Sequence, residues 1–284
     1  MCRLCDLKSP LRPATSATGF RRRSFVALAG AAAVGPVAAQ VDVGRSSSLR
    51  NLVPAETLEQ AAAQQYPELL AKARAQGALA PDNNPQLIRL RTISRRLIPF
   101  APAWNQRARG WNWEVNLIGS KQINAFCMPG GKIAFYTGIL DQLKLTDDET
   151  AMIMGHEMAH ALREHARARV AKTQATEIGI SLASQLFGLG QLGQTAAGLG
   201  GQLLTLRFSR ADETDADIVG LELAARAGYD PQAAVSLWEK MGRAGGGSNG
   251  PSFLSTHPSG PERIRELQAN VPKVEPLYRA AQRG

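Results

Sequence analysis

Cysteine is scarce in this chain of 284 residues: there are three. Cys2 and Cys5 lie at the extreme N-terminus, which leaves Cys127 alone in the rest. A lone cysteine cannot close an intramolecular disulfide, so the fold must stand on its core. Cys127 falls in a strand-like run and reads as a small buried hydrophobe. Long apolar runs are missing too. The run over residues 25–34 is shorter than the roughly 20 residues a membrane helix needs. Residues 178–206 carry no charge, but their glycines argue against a rigid spanning helix. That segment reads as helix packed over the core, with a mobile flap or a lipid-touching surface as the functional alternative. A basic surface is also largely absent. The net charge is +9, but residues 1–39 hold six basic side chains against Asp6. The remaining balance is small, which removes most support for a nucleic-acid partner.

Those basic residues have an order. Residues 21–39 read RRRSFVALAGAAAVGPVAA: arginines, a short apolar run, then small residues. This is the pattern of a cleavable export signal. Arg22, Arg23, Ser24, Phe25 and Val26 resemble a twin-arginine signal. Cleavage after Ala39 would make Gln40 the first residue. No cysteine follows the apolar run, so a lipoprotein anchor is not expected. The expected organisation is a leader over 1–39, one domain over 40–284, and a periplasmic location with peripheral membrane association.

Hydrophobic periodicity and breaker residues organise the remainder. Residues 46–79 and 86–98 read as helices, the second with Leu87, Ile88, Leu90, Ile93 and Leu97 as its apolar stripe. Strands are expected over 111–118, 122–128 and 132–136, the last two joined as a hairpin through Pro129, Gly130 and Gly131. A short helix over 137–145 follows. Thr146 with Glu149 three residues on marks a helix start, and that helix is expected to run through residue 171. Helices over 212–228, 231–242 and 261–269 complete the chain, with a glycine-rich loop over 243–251. The fold class is α+β, mostly helical, with a small sheet.

The chemistry centres on His156, Glu157, Met158, Ala159 and His160. On a helix, residues i and i+4 share a face, so both imidazoles can reach one metal ion. Zinc suits two imidazoles and a carboxylate, with a further position open to water. Glu157 could take the proton as that water attacks a peptide carbonyl, then pass it to the leaving nitrogen. The apolar flank over 151–155 is what a buried active-site helix requires. Glu164 lies too far along that helix to be the third ligand. Glu213 and Asp217 are again i and i+4, so one could bind the metal while the other orients a ligating imidazole. Their spacing alone does not say which does which. His165, nine residues from His156, would face away from the metal by the 3.6 periodicity.

The ordered set of motifs resembles the HExxH peptidases of the HtpX and CAAX-prenyl-protease type, on their soluble periplasmic branch. The matching residues are Asn124-Ala125-Phe126, Pro129-Gly130-Gly131-Lys132-Ile133, Gly138-Ile139-Leu140, Gly155 to His160, Ser209-Arg210, Glu213 with Ala216-Asp217, Gly228-Tyr229-Asp230-Pro231 and Ser255-Thr256-His257-Pro258. They span about residue 50 to 268. The resemblance implies a zincin-like domain of the gluzincin kind holding one Zn2+. It also implies that Glu213 is the third ligand and Asp217 the partner of a histidine. The expected activity is endopeptidase action on misfolded or misassembled cell-envelope proteins. Integral membrane relatives carry hydrophobic spans that this chain lacks, which argues against membrane-embedded substrates.

His257 has two functional readings beside that of an ordinary loop histidine. It could donate to the oxyanion of the tetrahedral intermediate, or occupy the fourth zinc position in a resting, self-inhibited state. Arg263 would anchor its loop or help stabilise the same charge. Asn124, Ala125 and Phe126 would form a strand bordering the cleft, to which an extended substrate could pair. The expected partners are therefore protein or peptide substrates and no nucleic acid, with peripheral contact to the membrane or envelope assembly machinery. The alternative is a chaperone-like assembly factor whose protease site is latent and blocked by a histidine.

Overall fold

The computed structural model describes residues 41–173, 203, 206–244, 252–258 and 260–283. The expected leader, most of the uncharged stretch over 178–206 and most of the glycine-rich loop over 243–251 lie outside the described residues.

Among the described residues, one short 3-10 turn precedes helices α1 (Ala55–Ala75) and α2 (Pro85–Leu97), and two follow them. Then come strands β1 (Glu114–Ile118), β2 (Ala125–Met128) and β3 (Lys132–Tyr136). Helices α3 (Thr137–Leu143), α4 (Asp147–Leu162), α5 (Arg210–Arg226), α6 (Ala233–Ala244), α7 (Ser252–Thr256) and α8 (Pro261–Ala281) follow. This is the expected mostly helical α+β class. The sheet order is β1-β3-β2, with β1 parallel and β2 antiparallel to β3. The β2–β3 turn uses Gly130 and Gly131 at φ of 81° and 79°, a region costly for any residue with a Cβ. At Gly131 a Cβ would also lie 2.7 Å from the Trp113 ring.

Helix α4 is the centre of the molecule. Its start is a capping box: the Thr146 hydroxyl accepts from the Glu149 N–H, and the Glu149 carboxylate accepts from the Thr146 N–H. From Glu149 to Leu162 every residue is buried. A helix buried all round must be covered on each face, and α2, α5, α6 and β2 cover this one. Helix α2 is positioned by Asn84, whose side chain accepts from the N–H groups of Gln86 and Leu87. Leu87, Leu90, Ile93 and Leu97 face the core as expected, but Ile88 is 48% exposed and leaves the stripe.

Several boundaries differ from the sequence reading. The expected helix over 46–79 is a 3-10 turn, Ser48–Leu52, and then α1, because Pro54 closes one and opens the other. The first two strands begin later than expected, at Glu114 and Ala125, whereas the third runs over Lys132–Tyr136 as expected. The helix expected to run from Asp147 through residue 171 stops at Leu162. Arg163 and Glu164 form a turn, with Glu164 at φ 59°, and helix resumes over 165–173. Helix α5 starts at Arg210 because Ser209 and Asp212 make a second capping box. The last helix, expected to end at residue 269, continues as α8 to Ala281 through Pro272 and Pro276. Each interior proline removes one backbone hydrogen bond. Burial of Leu267, Val271 and Val274 in the core, and packing on α5 and α6, offset that loss.

Candidate metal centre

Helices α4 and α5 touch backbone to backbone. A Cβ built on Gly155 would lie 2.7 Å from the Gly220 carbonyl oxygen, and one on Gly220 would lie 2.6 Å from His156 N. This contact brings the side chains of α5 one and two turns before Gly220 against the histidines of α4. His156 Nε2 and His160 Nε2 lie 3.1 Å apart. Glu213 carboxylate oxygens lie 3.5 Å from each of these nitrogens. Asp217 Oδ1 lies 3.0 Å from His156 Nδ1 on the far side of that ring.

His257, just beyond α7, completes the group. Its N–H donates to Phe253 O at 2.8 Å, and its ring stacks on Phe253 with centroids 4.3 Å apart. That places His257 Nδ1 3.2 Å from His156 Nε2 and 3.0 Å from Glu213 Oε1. One ligand atom from each of His156, His160, Glu213 and His257 lies within 4.8 Å of the others, and all four residues are buried. A tetrahedral zinc ion with bonds of about 2.0–2.1 Å needs donors about 3.3 Å apart. Five separations across the group, taken over both Glu213 oxygens, run from 3.0 to 3.5 Å, and the four donors together stay within 4.8 Å, so the group is near the size such an ion needs. The donor chemistry, three imidazoles and one carboxylate, suits the same ion. Glu157 lies next to the group: its Oε1 is buried, has no hydrogen-bond partner among the described residues, and is 3.6 Å from His257 Nε2.

Arg263, in the first turn of α8, is the balancing cation. It is buried over the Trp238 ring, 3.5 Å from the centroid. Its guanidinium pairs with Glu213 at 2.7 Å and donates to both Asp217 oxygens, at 2.8 Å to Oδ1. Burial alone would raise the Asp217 pKa, but Arg263 and His156 outweigh it and hold this carboxyl below its usual range. The Glu213 carboxyl is likewise held low against burial, by bonds to His156, His160 and His257. His156 is also burial-penalised as a cation, yet Asp217 and Glu213 push its pKa up to about 9. Burial drives His160 well below the ordinary imidazole value and raises Glu157 above the ordinary carboxyl value. Burial also raises the Cys127 thiol, with the Glu157 charge adding to it. Cys127 as a whole residue is half-buried rather than buried as expected.

Of the expected site residues, His156, Glu157, His160, Glu213, Asp217, His257 and Arg263 are brought together. Asn124, Ala125 and Phe126 are not in this cluster. They lie at and beside β2, the terminal strand of the sheet, which packs on α4; Phe126 packs on Tyr66 and Tyr136. A small solvent-connected pocket of about 40 Å³ lies beside His160, lined by Leu58, Trp111, Met128, Phe208, Glu164 and Arg167 among others.

His165 corrects the sequence reading. It does not face away. The turn at Arg163 and Glu164 resets the helical phase, and His165 is buried with Nδ1 2.9 Å from His160 Nδ1. Its Nε2 lies 3.2 Å from Asp215 Oδ2. Phe208 is a further site residue that sequence reasoning does not find; its ring stacks on His160, 3.9 Å between centroids at 23°. Periodicity carries through an unbroken helix only, so the break hid His165. Phe208 has no signal beyond its place next to the Ser209 cap.

A helix carrying HExxH, crossed by a carboxylate-bearing helix beside a small sheet, defines a zincin-type metallopeptidase. Residues 88–271 match peptidase family M48, and the chain belongs to that family. It is 40% identical over 193 residues to the mitochondrial metalloendopeptidase OMA1 of Arabidopsis thaliana, across 67% of this chain and 39% of that protein. To the metalloprotease LoiP of Escherichia coli it is 29% identical over 192 residues, 67% of this chain and 72% of LoiP. To the β-barrel assembly-enhancing protease of Escherichia coli it is 29% identical over 174 residues, 57% of this chain and 35% of that protein. The chain thus spans well under half the length of the first and third of these relatives. Among the described residues, no helix is long and apolar enough to cross a membrane.

Proposed function

We propose that this chain is a zinc-dependent endopeptidase acting on misfolded or misassembled cell-envelope proteins. The observation that carries the catalytic part is the convergence of His156, His160 and Glu213 donors beside the buried, unpartnered Glu157 oxygen. His156 and His160 hold the zinc through Nε2, and Glu213 supplies the carboxylate. A zinc ion bound there supplies Lewis acidity, which activates water and polarises the peptide carbonyl. Glu157 takes the proton from the attacking water and delivers it to the leaving nitrogen. Its burial raises its basicity for that task. Asp217 accepts the His156 Nδ1–H and so turns Nε2 toward the metal position. Arg263 keeps Asp217 ionised and pairs with Glu213. The pocket beside His160 receives an apolar substrate side chain, and an extended substrate pairs along the edge at residues 124–126.

The envelope assignment is supported by the export-signal pattern over 1–39 and by a relative whose name couples proteolysis to β-barrel assembly. Export by the twin-arginine route places residues 40–284 in the periplasm, in peripheral contact with the membrane or assembly machinery. The test is zinc content with cleavage of unfolded casein by the purified protein. Glu157→Gln should retain zinc and lose turnover, whereas Glu213→Gln should lose zinc. Loss of zinc from Asp217→Asn alone would reverse the ligand assignment.

A second reading, an assembly factor with a latent protease site, is favoured by one observation: His257 Nδ1 lies 3.0 Å from Glu213 Oε1 and 3.2 Å from His156 Nε2. There it would serve as a fourth donor to a bound metal, in the place of water. Raised turnover in His257→Ala supports this latch, whereas lost turnover supports an oxyanion donor.

A further inference from the structure

We propose that His165 is a positioning residue for His160, and that Asp215, acting through it, fixes the tautomer that His160 needs. The proposal rests on the preceding reading that His160 holds the metal through Nε2. It concerns residues that lie outside the four-donor group.

With His165 neutral, the contacts along this chain set where each proton sits. The Asp215 carboxylate can only accept. His165 Nε2, 3.2 Å away, must therefore donate to it. A neutral imidazole has one N–H, so His165 Nδ1 is an acceptor. Its partner at 2.9 Å is His160 Nδ1, which must then be the donor. With its hydrogen on Nδ1, His160 keeps a lone pair on Nε2. That nitrogen is the one 3.1 Å from His156 Nε2 and 3.5 Å from Glu213 Oε1. The opposite tautomer would place a hydrogen where the metal has to sit.

The relay is held at both ends. Arg163 Nε donates to Asp215 Oδ2 at 2.8 Å, and Arg163 Nη2 donates to the Gly44 carbonyl at 2.8 Å. Phe208 stacks flat on His160, which fixes the plane of that ring. The break in the helix is what makes the relay geometrically available. Glu164 takes a left-handed conformation there, and pairs with Arg50 at 3.0 Å and Arg167 at 2.8 Å. His156 has the shorter version of the same device, with Asp217 acting on its Nδ1 directly. Both helix-borne imidazoles are thus set by a carboxylate, one directly and one through an intervening ring.

The test is zinc affinity of the full chain, measured by competition with a chromophoric chelator. His165→Leu removes the acceptor and should weaken zinc binding by about 10–100-fold. His165→Asn sets an amide oxygen near the place of Nδ1 and should recover affinity to within about threefold of the wild type. Equal weakening by Leu and Asn, or wild-type affinity in Leu, overturns the proposal. A second measurement needs no variant. The imidazole nitrogen shifts of His160 in the zinc-free protein should show a protonated Nδ1 and a bare Nε2, and the reverse pattern overturns it. Failure of the underlying metal site is a separate result: the wild type would bind no zinc, or His156→Ala would bind it as tightly as the wild type.

Discussion

Gly220→Ala tests whether the approach of α4 to α5 sets the metal centre. The new Cβ would stand 2.6 Å from His156 N and 2.7 Å from Gly155 C, against an ordinary contact of at least 3.4 Å. The helices must therefore separate by about 0.8 Å, because the atoms in the way are backbone and cannot rotate aside. Overpacking of this kind costs about 1–3 kcal/mol, and the upper half applies where backbone meets backbone. Alanine's better helix propensity returns about 1 kcal/mol, so the net loss is about 1–2 kcal/mol, or a fall in Tm of about 2–8 °C for a domain of this size. Glu213 and Asp217 ride on the displaced helix, so zinc affinity should fall by at least about tenfold, a consequence of misplaced donors. Gly242, on α6, is the control. A Cβ there meets nothing within 4 Å, and Gly242→Ala should be neutral or stabilise by up to about 1 kcal/mol. Thermal unfolding with and without zinc, together with chelator competition, reads all of this. A Gly220→Ala protein as stable as the wild type, with unchanged zinc affinity, would refute the claim that this contact positions the donors.

Thr146→Ala should cost about 1 kcal/mol in denaturant unfolding, because it deletes one half of the box that starts α4. Glu149 gives a pH dependence. Burial raises its pKa, but Lys240, the Thr146 N–H and Ser236 outweigh that and hold it below the ordinary carboxyl value of 4.5. A depressed folded value means that its contribution is present above the unfolded pKa and is lost as pH falls through the folded one. The stability gap between wild type and Glu149→Gln should therefore shrink as pH drops below about 4.5, and a gap that widens on acidification would contradict the sign. Removing zinc with a chelator should lower Tm, and restoring it should raise Tm in proportion to the logarithm of free zinc. At a free concentration about a thousand times Kd the stabilisation is about 4 kcal/mol; a midpoint indifferent to zinc would exclude binding to the folded state alone.

Local chemistry made much of this protein legible in its sequence. The spacing of His156 and His160 is converted into a shared face by helical geometry alone, and Glu213 with Asp217 follows the same rule. The cap at Thr146 and the glycine turn between β2 and β3 are likewise properties of a few adjacent residues. What tertiary structure decided is how separate segments meet. Gly155 and Gly220 are far apart in the chain, and only their contact sets α5 against the histidines. His257, Glu213 and His156 are joined through space. Glu164 turns left-handed where periodicity predicts continued helix, so His165 comes back onto His160. The prolines of α8 are overridden by core burial. Short-range sterics and hydrogen bonding act along the chain and can be read from it, whereas close packing acts between segments and is decided when they fold together.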